Sequence, residues 1–261
     1  MLYQYICDAI FLDFIYPPCH AQTMINSKTI KGILFDKDGT LFDYNATWMP
    51  LNHRAALHAA HGDQDLANKL MVLGGWQRET DTVSGGSLLA AHTNLEIAEA
   101  WASQLEGWNP QELCEAITDI FNTHGIESAA PVTDLPVFLN QLRNLDYILG
   151  VATSDSEISA CAMLKRFDAD ILFDYIAGYD SGYGSKPGPG MVHAFCTNTG
   201  LDVSDVIVVG DNHHDMEMAA NAGVAFSIGV LTGTSTRDDL NVHTNYVLED
   251  ITDIPRFLAD L

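Results

Sequence analysis

Positive charge is scarce in this chain of 261 residues, where 12 Lys+Arg stand against 35 Asp+Glu, a formal net charge of −23. Such a surface repels phosphate backbones and anionic headgroups, so neither a nucleic-acid nor a peripheral-membrane role is expected. Paired cysteines are lacking too. The five that occur (Cys7, Cys19, Cys114, Cys161 and Cys196) form no CxxC and no even framework, and read as reduced thiols of a cytoplasmic protein. No apolar run reaches the roughly 18 residues that a membrane span needs. The apolar stretch 5–15 is interrupted by Asp8 and Asp13 and has no basic n-region, so it is neither signal nor anchor.

What is present is a rhythm of short, continuous apolar runs at 30–36, 147–153, 175–177, 206–210, 225–230 and 245–248. Runs of that kind suit strands buried on both faces. Helical patterns at 134–145, 157–167 and 215–222 lie between them, with Ser154 or Ser156 as a cap for the second and Gly223 as a stop for the third. The alternation predicts an α/β fold with a doubly wound, Rossmann-like parallel sheet. Residues 45–127 break the rhythm: no strand is expected there, only helices at 51–61, 64–73, 87–105 and 110–123. The domain reading is therefore an N-terminal extension at 1–28, an α/β core from 29–44 and 129–261, and an inserted all-helical lid at 45–128. Glycine pairs at 74–75 and 85–86 flank a loop that could face a site, and Arg78 is its only cation.

Ligands of an open α/β sheet bind beyond the carboxyl ends of its strands. Asp36-Lys37-Asp38-Gly39-Thr40 follows the first strand, Thr153-Ser154-Asp155 the second, and Asp211-Asn212-His213-His214-Asp215 the fourth, while Lys186 sits in a Gly- and Pro-rich loop. Singly, each has an ordinary explanation: a capped turn, a helix cap, a solvated lysine, carboxylates complementing a helix dipole. Together they place several carboxylates at one sheet edge, where they repel unless a cation joins them, and hard oxygen donors suit Mg²⁺. A hydroxyl and a lysine beside them supply donors for the oxygens of a transferring phosphoryl group.

The segments DKDGTLFD, ATS, SKPGPGM and GDNHHDM, the last followed by AANAGV, resemble the four signature motifs of the haloacid dehalogenase-like hydrolases. The resemblance runs from about residue 30 to 248, with the insert where that family carries a helical cap, and is nearest to the phosphoglycolate phosphatase-like enzymes. It implies a phosphatase with Asp36 as nucleophile and Asp38 as general acid/base. Thr153, Ser154, Lys186, Gly39 and Thr40 would hold the phosphoryl oxygens. Mg²⁺ would be held by Asp36, by Asp38 through its backbone carbonyl and by Asp211, with Asp215 in support.

The family's dehalogenases lack the second acid of DxD, and its β-phosphoglucomutases carry a histidine where this chain has Trp48. Phosphonoacetaldehyde hydrolases need a lysine from the cap, and the only lysine there, Lys69, lies within an expected helix. The expected substrate is thus a small phosphorylated metabolite, phosphoglycolate-like, with Arg78 gripping an anionic group on it. Alternatives are a phosphotransferase or mutase on the same scaffold, a non-catalytic binding module, and a transition-metal site at His213-His214. Adjacent helical histidines point about a hundred degrees apart, which makes that last pairing awkward. Asp36 lies at a typical distance from Met24 for this family, and Pro17-Pro18 would break a helix, so residues 1–23 are expected to be dispensable.

Overall fold

The structure is a computed structural model and describes residues 30–261. Residues 1–29, and with them the expectation of a dispensable extension, lie outside the described residues. The order of elements is β1 (Gly32–Phe35), α1 (Tyr44–Ala59), α2 (Gln64–Leu73), β2 (Trp76–Gln77), β3 (Thr82–Val83), α3 (Leu88–Ala91), α4 (Asn94–Ala102), α5 (Pro110–Ser128) and α6 (Leu135–Arg143). Then come β4 (Ile148–Ala152), α7 (Glu157–Arg166), β5 (Tyr175–Ala177), α8 (Gly190–Thr199), β6 (Val206–Gly210), α9 (His213–Ala222), β7 (Phe226–Val230), α10 (Arg237–Asn241), β8 (Val247–Leu248) and α11 (Ile254–Ala259).

Six strands form one parallel sheet in the order β5-β4-β1-β6-β7-β8. From β1 the chain winds first to one side, through β4 and β5, and then returns to the other through β6, β7 and β8. The reversal leaves a crevice beyond the carboxyl end of β1, the place where such sheets bind ligands. Side-chain alternation sorts each strand between two cores. Ile33, Phe35, Ile207 and Val209 face α6, α7 and α11, whereas Leu34, Val206 and Val208 face α8 and α9. Both faces are covered, which is why the strands read as unbroken apolar runs.

The insert has an apolar cluster of its own. Ala55, Leu70, Met71, Ile97, Leu113 and Trp101 pack together, and the fully buried Trp101 satisfies its indole N–H on the Leu70 carbonyl at 3.0 Å. Its entry and exit strands of chain run side by side. The Asp43 amide donates to the Ala130 carbonyl (2.9 Å), the Ala130 amide to Thr47 Oγ1 (3.0 Å) and the Val132 amide to the Leu41 carbonyl (3.0 Å).

Three local expectations are corrected. The expectation of no strand within 45–127 misses a two-stranded antiparallel hairpin, β2 with β3, pairing Trp76 with Val83; a segment of two residues carries no readable periodicity. The single helix expected at 87–105 is two. Thr93 caps α4 through a reciprocal capping box with Glu96, which ends α3 before it. The helix expected from residue 51 begins at Tyr44, capped by Asp43, and carries Pro50 inside it; a proline there reads as a helix start.

Candidate active site

Asp36 extends β1 by one residue, its amide donating to the Val209 carbonyl at 2.8 Å, which sets it beside the end of β6 and so beside Asp211. The chain then turns within six residues, with the Leu41 and Phe42 amides both donating to the Lys37 carbonyl. Gly39 sits in this turn at φ 89°, and a Cβ on it would lie 2.5 Å from Asp211 Cγ. Handedness and space both demand glycine there. Gly233, after β7, is likewise pressed against the Asp211 carboxylate, into which any Cβ would run.

Lys186 lies buried between two carboxylates, its Nζ 2.5 Å from Asp36 Oδ1 and 2.5 Å from Asp215 Oδ1. The other Asp215 oxygen accepts the Asn212 amide, closing the capping box of α9. Asp211 accepts from the Thr234 amide and from Asn212 Nδ2, each at 3.2 Å. One oxygen from each of Asp36, Asp211 and Asp215 falls within 4.8 Å of the others. Asp36 Oδ2 is buried and meets no donor among the described residues.

This crowding governs the charges. Burial, reinforced by Asp215 and opposed by Lys186, pushes the Asp36 carboxyl up to about 6. Burial and the neighbouring Asp36 and Asp215 charges drive Asp211 well above the usual carboxylate range. Burial works against the Lys186 cation, but Asp215 and Asp36 outweigh it and hold its pKa above the ordinary lysine value.

Asp38 belongs to a second set. Its Oδ2 pairs with Lys37 Nζ at 2.6 Å, and its Oδ1 accepts the indole N–H of Trp48 at 3.2 Å. Lys37 is fully buried and also reaches Asp155 at 3.3 Å. Burial raises the Asp38 carboxyl, with Lys37 pulling in the opposite direction.

Two adjoining chambers lie by these residues. The smaller, of about 260 Å³, is lined by Asp36, Asp38, Asp211, His213 and His214 among others. The larger, of about 790 Å³, lies between insert and core, and the two share Tyr44, Ala90, His92 and Ser154 as walls. Thr153 is buried at the end of β4, its Oγ1 accepting the Asp155 amide at 3.1 Å, and Ser154 is exposed beside both chambers. Thr40 is buried, with its hydroxyl unpartnered among the described residues. The rings of His213 and His214 do not splay as expected. Their centroids are 3.8 Å apart where both border the smaller chamber, and burial together with His213 lowers the pKa of His214.

Arg78 is not brought to the chambers. It lies exposed in the β2–β3 turn, 5.4 Å over the Trp76 ring, and lines neither chamber. Sequence reasoning gave no role to Lys37, Trp48, Tyr44, Thr232 and Thr234. The last two follow β7, so the strand-end rule that found Asp211 could have found them; Thr232 Oγ1 donates to the Gly39 carbonyl at 2.7 Å. Lys37 and Trp48 gave no local signal of their partners.

The family model for haloacid dehalogenase-like hydrolases matches residues 33–229. The chain belongs to this family. It is an enzyme of the family's phosphatase type, as its relatives indicate. N-acetylmuramic acid 6-phosphate phosphatase of Pseudomonas aeruginosa is 27% identical over 232 residues, covering 89% of this chain and 94% of the relative. Phosphoglycolate phosphatase of Pectobacterium atrosepticum is 25% identical over 234 residues, covering 88% and 93%. A solved structure from Geobacter sulfurreducens, a HAD-superfamily hydrolase of subfamily IA, variant 1, shares the fold at a TM-score of 0.61 and 20% identity over 88% of this chain and 97% of that one.

Proposed function

We propose that the chain is a magnesium-dependent phosphomonoesterase that acts on a small phosphorylated metabolite through an aspartyl-phosphate on Asp36. The observation that carries this reading is the asymmetry of Asp36: one oxygen is fixed by Lys186 while the other is buried and, among the described residues, meets no donor.

The donor set fits Mg²⁺. Three buried carboxylates converge within 4.8 Å with Lys186 as their only paired cation among the described residues, and all the donors are hard oxygens. Asp36, Asp211 and the Asp38 carbonyl would hold the ion, with Asp215 in support. When bound, it supplies positive charge that offsets repulsion between the carboxylate and the phosphoryl oxygens.

The chain's own residues account for the rest. Asp36 Oδ2 attacks phosphorus as the bond to the leaving alkoxide breaks, and Asp38, whose protonated form burial favours, gives that oxygen a proton. Asp38, now a carboxylate, takes a proton from water, which attacks the phosphorus of the acyl phosphate. Inorganic phosphate leaves and the Asp36 carboxylate is restored. Lys186 and the Thr153 and Ser154 end of β4 supply donors for the phosphoryl oxygens.

The test is phosphate release from p-nitrophenyl phosphate and a metabolite panel, with and without a sugar acceptor. Turnover to free phosphate in Mg²⁺, loss in EDTA, a phosphoryl group trapped on the Asp36 peptide, and less than ~1% rate for Asp36→Asn are expected. Transfer to the acceptor in preference to water would replace this reading with a phosphotransferase.

A further inference from the structure

The larger chamber differs in character from the smaller one. Among the described residues no lysine or arginine lines it, His92 is its one imidazole, and its one carboxylate, Asp155, is engaged by Lys37 and by the Ser159 hydroxyl at 2.7 Å. An anionic leaving group would therefore be desolvated there with no lysine or arginine to receive it. The walls are aliphatic and aromatic, with the amides of Asn52, Asn94 and Asn122 set among them. Trp48 is held by its hydrogen bond to Asp38 and by an edge-on contact with Phe121, ring centroids 5.6 Å apart. Asn52, on α1, is 2% exposed and borders the chamber, and its Nδ2 is buried without a partner among the described residues. A buried amide donor left unpaired forfeits its solvation, which a ligand oxygen would recover. The volume, about 790 Å³, suits a ligand of many atoms.

We infer that the larger chamber is a subsite for an uncharged, polyhydroxylated leaving group, that of a sugar phosphate, with Asn52 donating to one of its oxygens. The Trp48 and Phe121 rings receive its apolar C–H face. This deepens the phosphomonoesterase reading and rests on it for the position of the phosphate.

The experiment compares hexose and N-acetylhexosamine 6-phosphates with phosphoglycolate and p-nitrophenyl phosphate. The best sugar phosphate should exceed phosphoglycolate in kcat/KM by at least tenfold. Asn52→Leu should lower the ratio of sugar phosphate to p-nitrophenyl phosphate kcat/KM by about tenfold. Because position 52 is buried, a second variant guards against misfolding. Gly125, on α5, also borders the chamber, and a Cβ added there meets nothing within 4 Å. Gly125→Leu fills the space and removes a helical glycine, which favours folding, and it should lower the same ratio by tenfold or more.

Calorimetry on the Asp36→Asn protein, with the best-bound sugar 6-phosphate, reads the subsite without turnover. Adding Asn52→Leu to that background should weaken binding about tenfold. If no ester releases phosphate yet this binding persists and responds to Asn52→Leu, the phosphatase reading fails and the subsite stands. Preference for phosphoglycolate, or ratios and binding that neither variant moves, would overturn the subsite.

Discussion

Trp48 of the insert donates its indole N–H to Asp38 of the core across 3.2 Å. The residue proposed as general acid/base is thus oriented from one side by the core, through Lys37, and from the other by the insert.

Trp48→Phe keeps the ring against Phe121 and removes only that donor. A neutral donor to a carboxyl contributes about 0.5–1.5 kcal/mol, so kcat should fall roughly 2- to 10-fold. Steady-state kinetics with p-nitrophenyl phosphate check this, and a change confined to KM would assign Trp48 to binding alone.

Lys37→Met removes a fully buried cation from between Asp38 and Asp155. Breaking a buried ion pair costs about 3–5 kcal/mol, and since both carboxylates keep some solvent access the loss should be nearer 1–3 kcal/mol. Urea denaturation measures it. Lys37→Met with Asp155→Asn should recover part of the loss.

Gly233→Ala forces the Asp211 carboxylate from its place, because the methyl group would occupy it. Mg²⁺ affinity, read by titrating activity after EDTA treatment, should fall at least tenfold. Far-UV circular dichroism should stay unchanged, since Gly233 belongs to a loop.

Asp36 also gives a stability signature. Its folded pKa, about 6, lies above the ordinary aspartate value of 3.8. For a carboxyl raised in the folded state, the folded protein binds the proton more tightly, so this contribution to stability is present below pH ~4 and is lost as the pH rises through ~6. Asn mimics the protonated form. In EDTA, Asp36→Asn should therefore melt higher than the wild type at pH 7, with the difference shrinking toward pH 4. An equal difference at both pH values would remove the buried charge as its cause.

The strand-borne part of the site was legible because its signal is local. Continuous apolar runs located β1, β4 and β6, and Asp36, Thr153 and Asp211 follow directly from where those runs stop. The partners of Asp38 were not legible. Lys37 reads as a surface lysine until the fold closes Asp155 and Met163 over it, and Trp48 reads as insert core until α1 is docked. The helix expected from Asp215 begins at His213, with Asn212 as its cap. Arg78 shows the opposite error: a lone cation between glycines looks directed at a site, yet the hairpin turns it onto Trp76.

The paired crossings at Asp43, Thr47 and Ala130 have a mechanical consequence. Cross-linked by backbone and hydroxyl hydrogen bonds, the two chain segments act as one short ribbon and not as two independent tethers. Trp48 lies one residue beyond this ribbon, so its place over Asp38 is set at the junction itself and not by the outer helices of the insert.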